Sequence, residues 1–464
     1  MKILLINPPP YDFGSKGRLL NKSPIQSYTM PLGLGYIAAV LEKNGYEVQI
    51  LDAYIKSLPY SKVSDYIINY QPDVIGITCL SDQRASCFEL IDLIRSLNSK
   101  IKIVLGGAHA SLMTEQVLMN KKPDAIVIGE GELTMLELIN AWDSGEDLNS
   151  VKGIAYLLDN KSVFTGPRNR IRNLDDLPFP SRHLISLDDY LGWDFMDFLS
   201  KRLGLQKSPR YATILTSRGC LGGCGYCSSP LIWKGGWICR SAVNIADEFE
   251  FLVEHYRVDF VIITDDIFTI NQRRVFGLCT ELKRRNINVL WGFETAVNYV
   301  SEDLLLELKR AGCCCILYGV ESGSSEVLSK INKHIKEEQI LRAFHMTKKA
   351  GILAGAFLMI GNPSENEKSI NETIALLKKI KPDILLPQIA MITPRTYLYE
   401  EAKKKGVIND EFWLTDAPFP YYTAERRLET LLRWYRKIMN YDSGWINIKV
   451  KTIADYIEIK MGMS

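Results

Sequence analysis

The chain has no apolar run long enough to cross a membrane: nothing in it approaches the roughly 18 consecutive residues that a spanning helix needs. It also lacks an excess of either charge. Lys+Arg 56 stand against Asp+Glu 54, a net charge of +2, so no global field is available to hold a polyanion and nothing asks for nucleic acid. The opening MKILLINPPP is too short for a secretory apolar region and ends in three prolines, so it reads as a first strand. Ten cysteines without a secretory signal point to a reducing cytoplasm, not to a disulfide framework. No repeat at a short fixed period occurs, which excludes solenoids. Histidine is scarce, at five. What is present is an ordinary globular composition, 47% hydrophobic and 24% charged, on 464 residues, which is long enough for two or three domains.

Residues 1–145 alternate strand and helix signals. KILLIN, EVQIL, VIGIT, IKIVLGG and DAIVIG are apolar throughout, as strands buried on both faces must be. Between them, Leu34, Ile37, Ala38 and Leu41 fall at helical spacing before Gly45, and amphipathic stretches follow around Glu89–Leu97, Thr114–Met119 and Leu133–Trp142. The expected fold is α/β: a doubly wound, Rossmann-like parallel sheet whose ligands bind at the carboxyl ends of the strands. Those ends carry Asn7 and Pro8, then Leu80 and Ser81, then Gly106, Gly107 and His109, then Gly129, Glu130 and Gly131. Paired glycines there let backbone approach a ligand closely, and they serve equally as tight turns.

Residues 146–205 read as a connector: a hairpin turning at Asp159-Asn160, then the proline-punctuated LDDLPFPSRHLI. Over 206–405 a second alternation begins, with strands in YATILT, DFVIIT, NVLWGF, CILYGV, GAFLMI and DILLPQ, and helices centred near Ala246, Leu278, Leu305, Ala343 and Ile374. Ser364 and Glu367 form an expected capping box before the last of these. Six strand–helix units predict a partial (β/α)6 barrel, open on one side. Residues 406–464, with DAPFPYY and an amphipathic helix around Leu428–Ile438, are expected to form a small, mainly helical cap.

Directly after the first strand of this second domain comes GCLGGCGYCS, placing Cys220, Cys224 and Cys227 in the loop where β/α scaffolds keep their chemistry. Three thiolates on a four-iron cubane leave one iron open to bind something else. Cys239, twelve residues past Cys227, could instead complete a four-cysteine zinc site.

The C-x3-C-x2-C spacing of CLGGCGYC, with an aromatic before the last cysteine, resembles the radical S-adenosylmethionine (radical SAM) superfamily. The stretches PLGLGYIAAVLEKNGYEVQILDA, VLGGAHAS, IGEGE, GVESGSSEVL and GNPSENEKSINETI resemble the branch with an N-terminal cobalamin-binding domain, over about residues 1–405 and in that branch's order. The resemblance implies that Cys220, Cys224 and Cys227 ligate a 4Fe–4S cluster as its metal ligands. It places Tyr226 against the adenine of S-adenosylmethionine, Asp265 and Asp266 at the ammonium of its methionine, and Glu321 and Ser322 at the ribose hydroxyls. For the first domain it implies cobalamin contacts at the strand ends named above. A reduced cluster would cleave the sulfonium to methionine and a 5′-deoxyadenosyl radical, which would take a hydrogen from the substrate. Methylcobalamin would then supply a methyl group to an unactivated carbon. An electron donor such as flavodoxin or ferredoxin is implied as partner.

Three departures stand out. The D-x-H-x-x-G sequence that gives some cobalamin proteins a lower histidine is missing from NPPPYDFG. In WGFETA, Trp291 is kept, but Glu294 and Ala296 occupy places where many relatives have Gln and Arg. Relatives also often show Pro-Gly-Thr where this chain has Pro394-Arg395-Thr396. Cys313, Cys314 and Cys315 alternate faces along a strand and cannot converge on one cluster, so they read as small buried hydrophobes, as do Cys79, Cys87 and Cys279. Three readings follow: a cobalamin-dependent radical methyltransferase, a cobalamin-free radical enzyme of the same architecture (dehydration, epimerisation, rearrangement or C–C bond formation), and a zinc-binding sensor that is no enzyme. The sequence names no substrate; a small molecule or a peptide fits its balanced charge.

Overall fold

The computed structural model describes residues 1–10, 29–234 and 236–441. The stretch of NPPPYDFG from Tyr11 onward and the part of the expected cap from Asp442 to Ser464 lie outside the described residues. The chain divides into two compact units, Met1–Tyr190 with Asn409–Phe419, and Leu191–Ile408 with Pro420–Ser464.

The first unit is built on seven strands: β1 (Lys2–Asn7), β2 (Glu47–Asp52), β3 (Val74–Thr78), β4 (Lys102–Gly106), β5 (Ala125–Val127), β6 (Ile154–Leu158) and β7 (Lys161–Phe164). Their order is β2-β1-β3-β4-β5-β6-β7. The first five run parallel, because each connection carries a helix: α1 (Leu32–Lys43), α2 (Tyr60–Tyr70), α3 (Arg84–Leu97), α4 (Ala108–Leu112) with α5 (Thr114–Lys121), and then α6 (Glu132–Ser144) on the way to β6. The apolar runs are the buried strands, Ile3–Ile6 being essentially inaccessible. Gly45, at φ +86°, turns the chain out of α1. The hairpin at Asp159-Asn160 has both residues at positive φ, as a two-residue turn matched to strand twist requires. It joins β6 and β7 antiparallel to the open edge of the same sheet. The unit therefore takes in the hairpin and the connector as far as Tyr190, whose hydroxyl donates to the buried Asp52 carboxylate at the end of β2.

The second unit begins with α7 (Asp194–Leu203). Its sheet has six parallel strands: β8 (Tyr211–Ile214), β11 (Phe260–Ile263), β12 (Leu290–Thr295), β13 (Cys313–Glu321), β14 (Leu353–Ile360) and β15 (Ile384–Ile389), in the order β15-β14-β13-β12-β11-β8. A two-stranded ribbon, β9 (Ser217–Arg218) and β10 (Ile238–Cys239), lies between the first two. The helices are α8 (Ser229–Ile232), α9 (Ala242–Tyr256), α10 (Gln272–Arg284), α11 (Glu302–Arg310), α12 (Ser325–Lys330), α13 (Glu337–Lys349), α14 (Glu367–Ile380), α15 (Tyr397–Lys404) and α16 (Leu428–Met439). No pairing joins β15 to β8, so the barrel is partial and open. Its core centres on Trp291, wholly buried, edge-on to Phe249 and Phe268, with its Nε1 donating to Ala311 O at 2.7 Å. Cys313, Cys314 and Cys315 are buried along β13, and Cys79, Cys87 and Cys279 are buried too.

The expected capping box at Ser364 and Glu367 is displaced by two residues. Asn366 caps α14, its Oδ1 accepting from Lys368 N at 2.9 Å and Ser369 N at 3.2 Å. The reason is the turn before it: the buried Glu365 carboxylate accepts the backbone N–H groups of Gly361 and Asn362, which fixes the chain through the turn and leaves Ser364 at φ +67°. Among the described residues no helix is long and apolar enough to cross a membrane.

Candidate functional site

Two sets of strand ends collect the residues that the sequence singles out. In the second unit the chain leaves β8, makes the short β9 strand and turns at Gly219, φ +92°, where a Cβ would lie 1.9 Å from Gly236 O; only glycine fits. The cysteine loop follows. Gly225 N donates to Ile331 O (2.8 Å), Leu398 N to Gly225 O (2.8 Å) and Asn332 Nδ2 to Gly223 O (2.6 Å), so two other strand-end turns pin it.

Asp265 secures the root of this loop from the end of β11. It accepts from Thr216 N at 2.6 Å, Ser217 N at 3.0 Å and both of those hydroxyls, with the Arg274 guanidinium 3.7 Å away, and it is completely buried. Both its oxygens are engaged by the loop, and it is not among the residues that line the cavity of the three cysteines, where the expected methionine ammonium would lie. Ser322 is likewise buried, bonded to Thr373 Oγ1 and to Ser324 N, outside the cavity.

Cys220, Cys224 and Cys227 line one cavity of about 590 Å³ at the carboxyl ends of the strands, together with Tyr226, Asp266, Glu294, Glu321 and Lys333. That volume is in the range of small-molecule sites. Tyr226 Oη donates to Glu321 Oε1 at 2.9 Å, and Lys333 Nζ donates to the same oxygen at 3.2 Å. Glu321 sits at φ +64°, where the β13–β14 register slips. A non-glycine residue held there is the kind of local strain that collects at working sites. Asp266, accepting from Ser229 Oγ at 2.5 Å, has its carboxyl raised by burial and by Asp265. Glu294 is pushed up to about 7 by burial and by the carboxylates of Asp266, Asp265 and Glu321. The wall is therefore short of cations. Lys333 is the one Lys or Arg lining it among the described residues, and the alanine at 296 also faces this cavity. In the sequence Glu294 stands out only as a departure from the family pattern, and the one signal for Lys333 is the basic stretch KINKHIK immediately after a strand and a short helix.

The donor set suits an iron–sulfur cluster better than a single ion. Among the described residues no three His, Cys, Asp or Glu converge as ligands of one metal, and Cys239, on β10, is not part of the cavity wall. Three thiols on the wall of one cavity are the donor set of a cubane that keeps one iron open. Burial raises the Cys220 thiol and pushes Cys227 up to about 11.

In the first unit Asn7, Pro8, Leu80, Ser81, Gly106, Gly107, His109, Gly129, Glu130 and Gly131 come to the carboxyl edge of β1, β3, β4 and β5. They do not all face outward. Asn7 ties strand ends together, donating to Asp52 Oδ1 and accepting from Gln83 Nε2, each at 2.9 Å. Gly107, φ +95°, packs its Cα on the backbone of Cys79, and Glu130 accepts Ile171 N at 3.0 Å. Leu80 is exposed, and Gly129, φ +81°, has open space beside it. His109 is inaccessible: Nδ1 meets Ser81 Oγ at 3.1 Å, Nε2 is buried without a hydrogen-bond partner, and burial and Arg84 push its pKa down to about 3. A strap, Asn409–Phe419, lies over it. Trp413, wholly buried, lies with its ring 5.6 Å from the imidazole and tilted to it; Arg84 spans Phe412 and Trp413 and donates to Ala417 O. What this edge leaves open to a ligand is Leu80 and the backbone at Gly129.

Comparison with known proteins gives two family matches, the B12 binding domain over residues 20–139 and the radical SAM superfamily over residues 214–377. An uncharacterized methyltransferase of Pyrococcus horikoshii is 30% identical over 415 residues, covering 89% of this chain and 85% of that protein. The anaerobic magnesium-protoporphyrin IX monomethyl ester cyclase of Rubrivivax gelatinosus is 31% identical over 421 residues, covering 88% and 71%. Among solved structures, the radical S-adenosylmethionine methyltransferase TsrM of Kitasatospora setae, with cobalamin and a 4Fe–4S cluster bound, shares the fold at a TM-score of 0.70 and 18% identity, covering 87% of this chain and 75% of that one.

Proposed function

This chain belongs to the radical SAM superfamily, in the branch that carries a B12-binding domain, and from that membership we propose that it is a cobalamin-dependent methyltransferase acting on an unactivated carbon. Its cofactors are a 4Fe–4S cluster, S-adenosylmethionine and cobalamin. The observation that carries the reading is the single cavity shared by three unpaired cysteines, a strained glutamate and a lone lysine at the mouth of an open barrel.

Cys220, Cys224 and Cys227 hold the cluster. Glu294 and Asp266 face the ammonium of S-adenosylmethionine and Lys333 its carboxylate, filling the role left open by Ala296. Glu321, already oriented by Tyr226 and Lys333, offers its free oxygen to the ribose. Tyr226, fixed through its hydroxyl, lays its ring on the adenine. Leu80 and Gly129 receive the corrinoid. When bound, these groups supply reductive cleavage of S-adenosylmethionine to a carbon-centred radical and a methyl group carried on cobalt. The protein's own part is to orient them and keep water from the radical. The protein acts in the cytoplasm on a small molecule or peptide and draws electrons from a carrier such as flavodoxin or ferredoxin.

The test is anaerobic reconstitution with iron, sulfide and hydroxocobalamin, gel filtration, and addition of S-adenosylmethionine with dithionite. Expected are a brown protein retaining corrinoid and the release of 5′-deoxyadenosine. Brown protein without corrinoid would overturn methyl transfer, and a colourless zinc protein would overturn the radical chemistry too. Lys333→Met and Glu294→Gln should each weaken equilibrium binding of S-adenosylmethionine at least tenfold, about 1.4 kcal/mol, with the cluster absorption unchanged.

A further inference from the structure

We infer that the substrate of the barrel cavity is an uncharged, largely apolar molecule, seated on the wall that β14 and β15 provide and read through one carbonyl, amide or hydroxyl group by the carboxamide of Gln388. The inference rests on the radical SAM reading above and adds the class of substrate.

The cavity wall is divided. Asp266 follows β11, Glu294 stands on β12, Glu321 ends β13 and Lys333 follows α12. Across the sheet the wall changes character: residues 353–360 and 384–394, which include all of β14 and β15, contain no charged residue. What they turn to the cavity is Phe357, Met359 and Met391. Leu317 of β13 joins them, its Cδ2 lying over β14 where Gly355 leaves room for it. Gly319 marks the border. It is the register partner of Phe357, and a Cβ there would come within 2.9 Å of both Glu321 Oε1 and Lys333 Nζ. Glycine lets that charged pair lie back against β13, clear of the apolar side.

Gln388 is the telling residue. It is the register partner of Met359, so the two side chains leave the sheet on the same side. It lines the cavity half-buried, and its amide has no hydrogen-bond partner among the described residues. A carboxamide offers a donor and an acceptor without a charge. Charge then decides the class. A phosphate or carboxylate entering here would lose its water and meet three carboxyl groups. Lys333 is already bonded to Glu321, and His334, the one other basic side chain lining the cavity among the described residues, stands exposed in the turn after α12. A cation would find partners only among carboxyl groups that the reading above assigns to S-adenosylmethionine. An apolar group gains by leaving water against Phe357 and two adaptable methionines. The unpaired amide makes that gain selective, because a ligand unable to bond to it leaves a polar group buried and unsatisfied.

The test is anaerobic equilibrium dialysis of the full chain, reconstituted with its cluster and saturated with S-adenosylmethionine, against cinnamamide and cinnamate, two probes with one carbon frame and different charge. Cinnamamide should bind at least tenfold more tightly than cinnamate. Gln388→Met, which keeps the length and removes the polar handle, should weaken cinnamamide at least tenfold and leave cinnamate within twofold. Met391→Lys, which sets a cation on the apolar wall, should strengthen cinnamate at least tenfold. A wild type that prefers cinnamate, holds both probes alike or holds neither would overturn the assignment, as would constants that neither substitution moves. Iron per chain and the dissociation constant for S-adenosylmethionine report whether each variant is folded and loaded, and both should match the wild type. If the wild type takes up no iron or binds no S-adenosylmethionine, the radical SAM reading itself fails; if it does both and shows no preference for the amide, only the substrate class fails.

Discussion

Glu365 and His109 are buried groups whose ionisation opposes each other's pH response. Burial pushes the Glu365 carboxyl up to about 7, although Gly361 N, Asn362 N and the Asn362 side chain pull it back. Between about pH 4.5 and 7 the folded state keeps a proton that the unfolded chain has lost, so stability falls as pH rises through that window. His109 is the reverse. Its folded pKa is about 3 against an ordinary 6.5, so its contribution is complete above 6.5 and is lost as pH falls toward 3. One residue belongs to each unit. Lowering pH from 7 to 5 should therefore stabilise the barrel and destabilise the first unit, pulling their calorimetric transitions apart. Glu365→Gln, which keeps an acceptor for both N–H groups, should reduce the first effect, Glu294 carrying the remainder, and His109→Gln should reduce the second. A separation that survives both substitutions would show that other groups set it.

At the level of elements, periodicity made the strands legible, and strand-end position made the cysteine loop legible. What it could not supply was the direction of side chains just past a strand end. Asp265 and Asp266 are neighbours, yet one is spent on Thr216 and Ser217 while the other faces the cavity. Glu321 and Ser322 divide in the same way: Glu321, at φ +64°, is on the cavity wall, and Ser322 is bonded to Thr373 and Ser324. The α14 cap moved for a comparable reason: a buried carboxylate, invisible in local pattern, fixed the preceding turn. Asp265→Asn should reveal the role of the loop root. It breaks a buried ion pair with Arg274 and turns an acceptor toward donors as an amide, so a loss of order 3–5 kcal/mol is expected. Iron incorporation should fall with it, measured as iron per chain after reconstitution, while Asp266→Asn should leave iron content near the wild-type value.

On the scale of the whole molecule, the least legible feature was the strap. Nothing in Asn409–Phe419 announces that it packs in the first unit: its one strong signal, a tryptophan among acidic residues, reads as well for an exposed turn. Only the tertiary contacts of Trp413 with His109 and Arg84 reveal it. Trp413→Ala should cost about 3–5 kcal/mol, and the loss should appear in the unfolding transition of the N-terminal unit although the substitution lies far toward the other end of the chain. An unchanged first transition would contradict the packing. The strap also orders events in time. On the ribosome, residues 1–190 emerge first with every strand of their sheet, but the covering for His109 and Arg84 comes only after Leu191–Ile408 has been made. Since domains tend to fold as they appear, the first unit passes a stretch of its synthesis with that strand edge uncovered. The interval in which that edge stands uncovered ends when residue 419 leaves the exit tunnel.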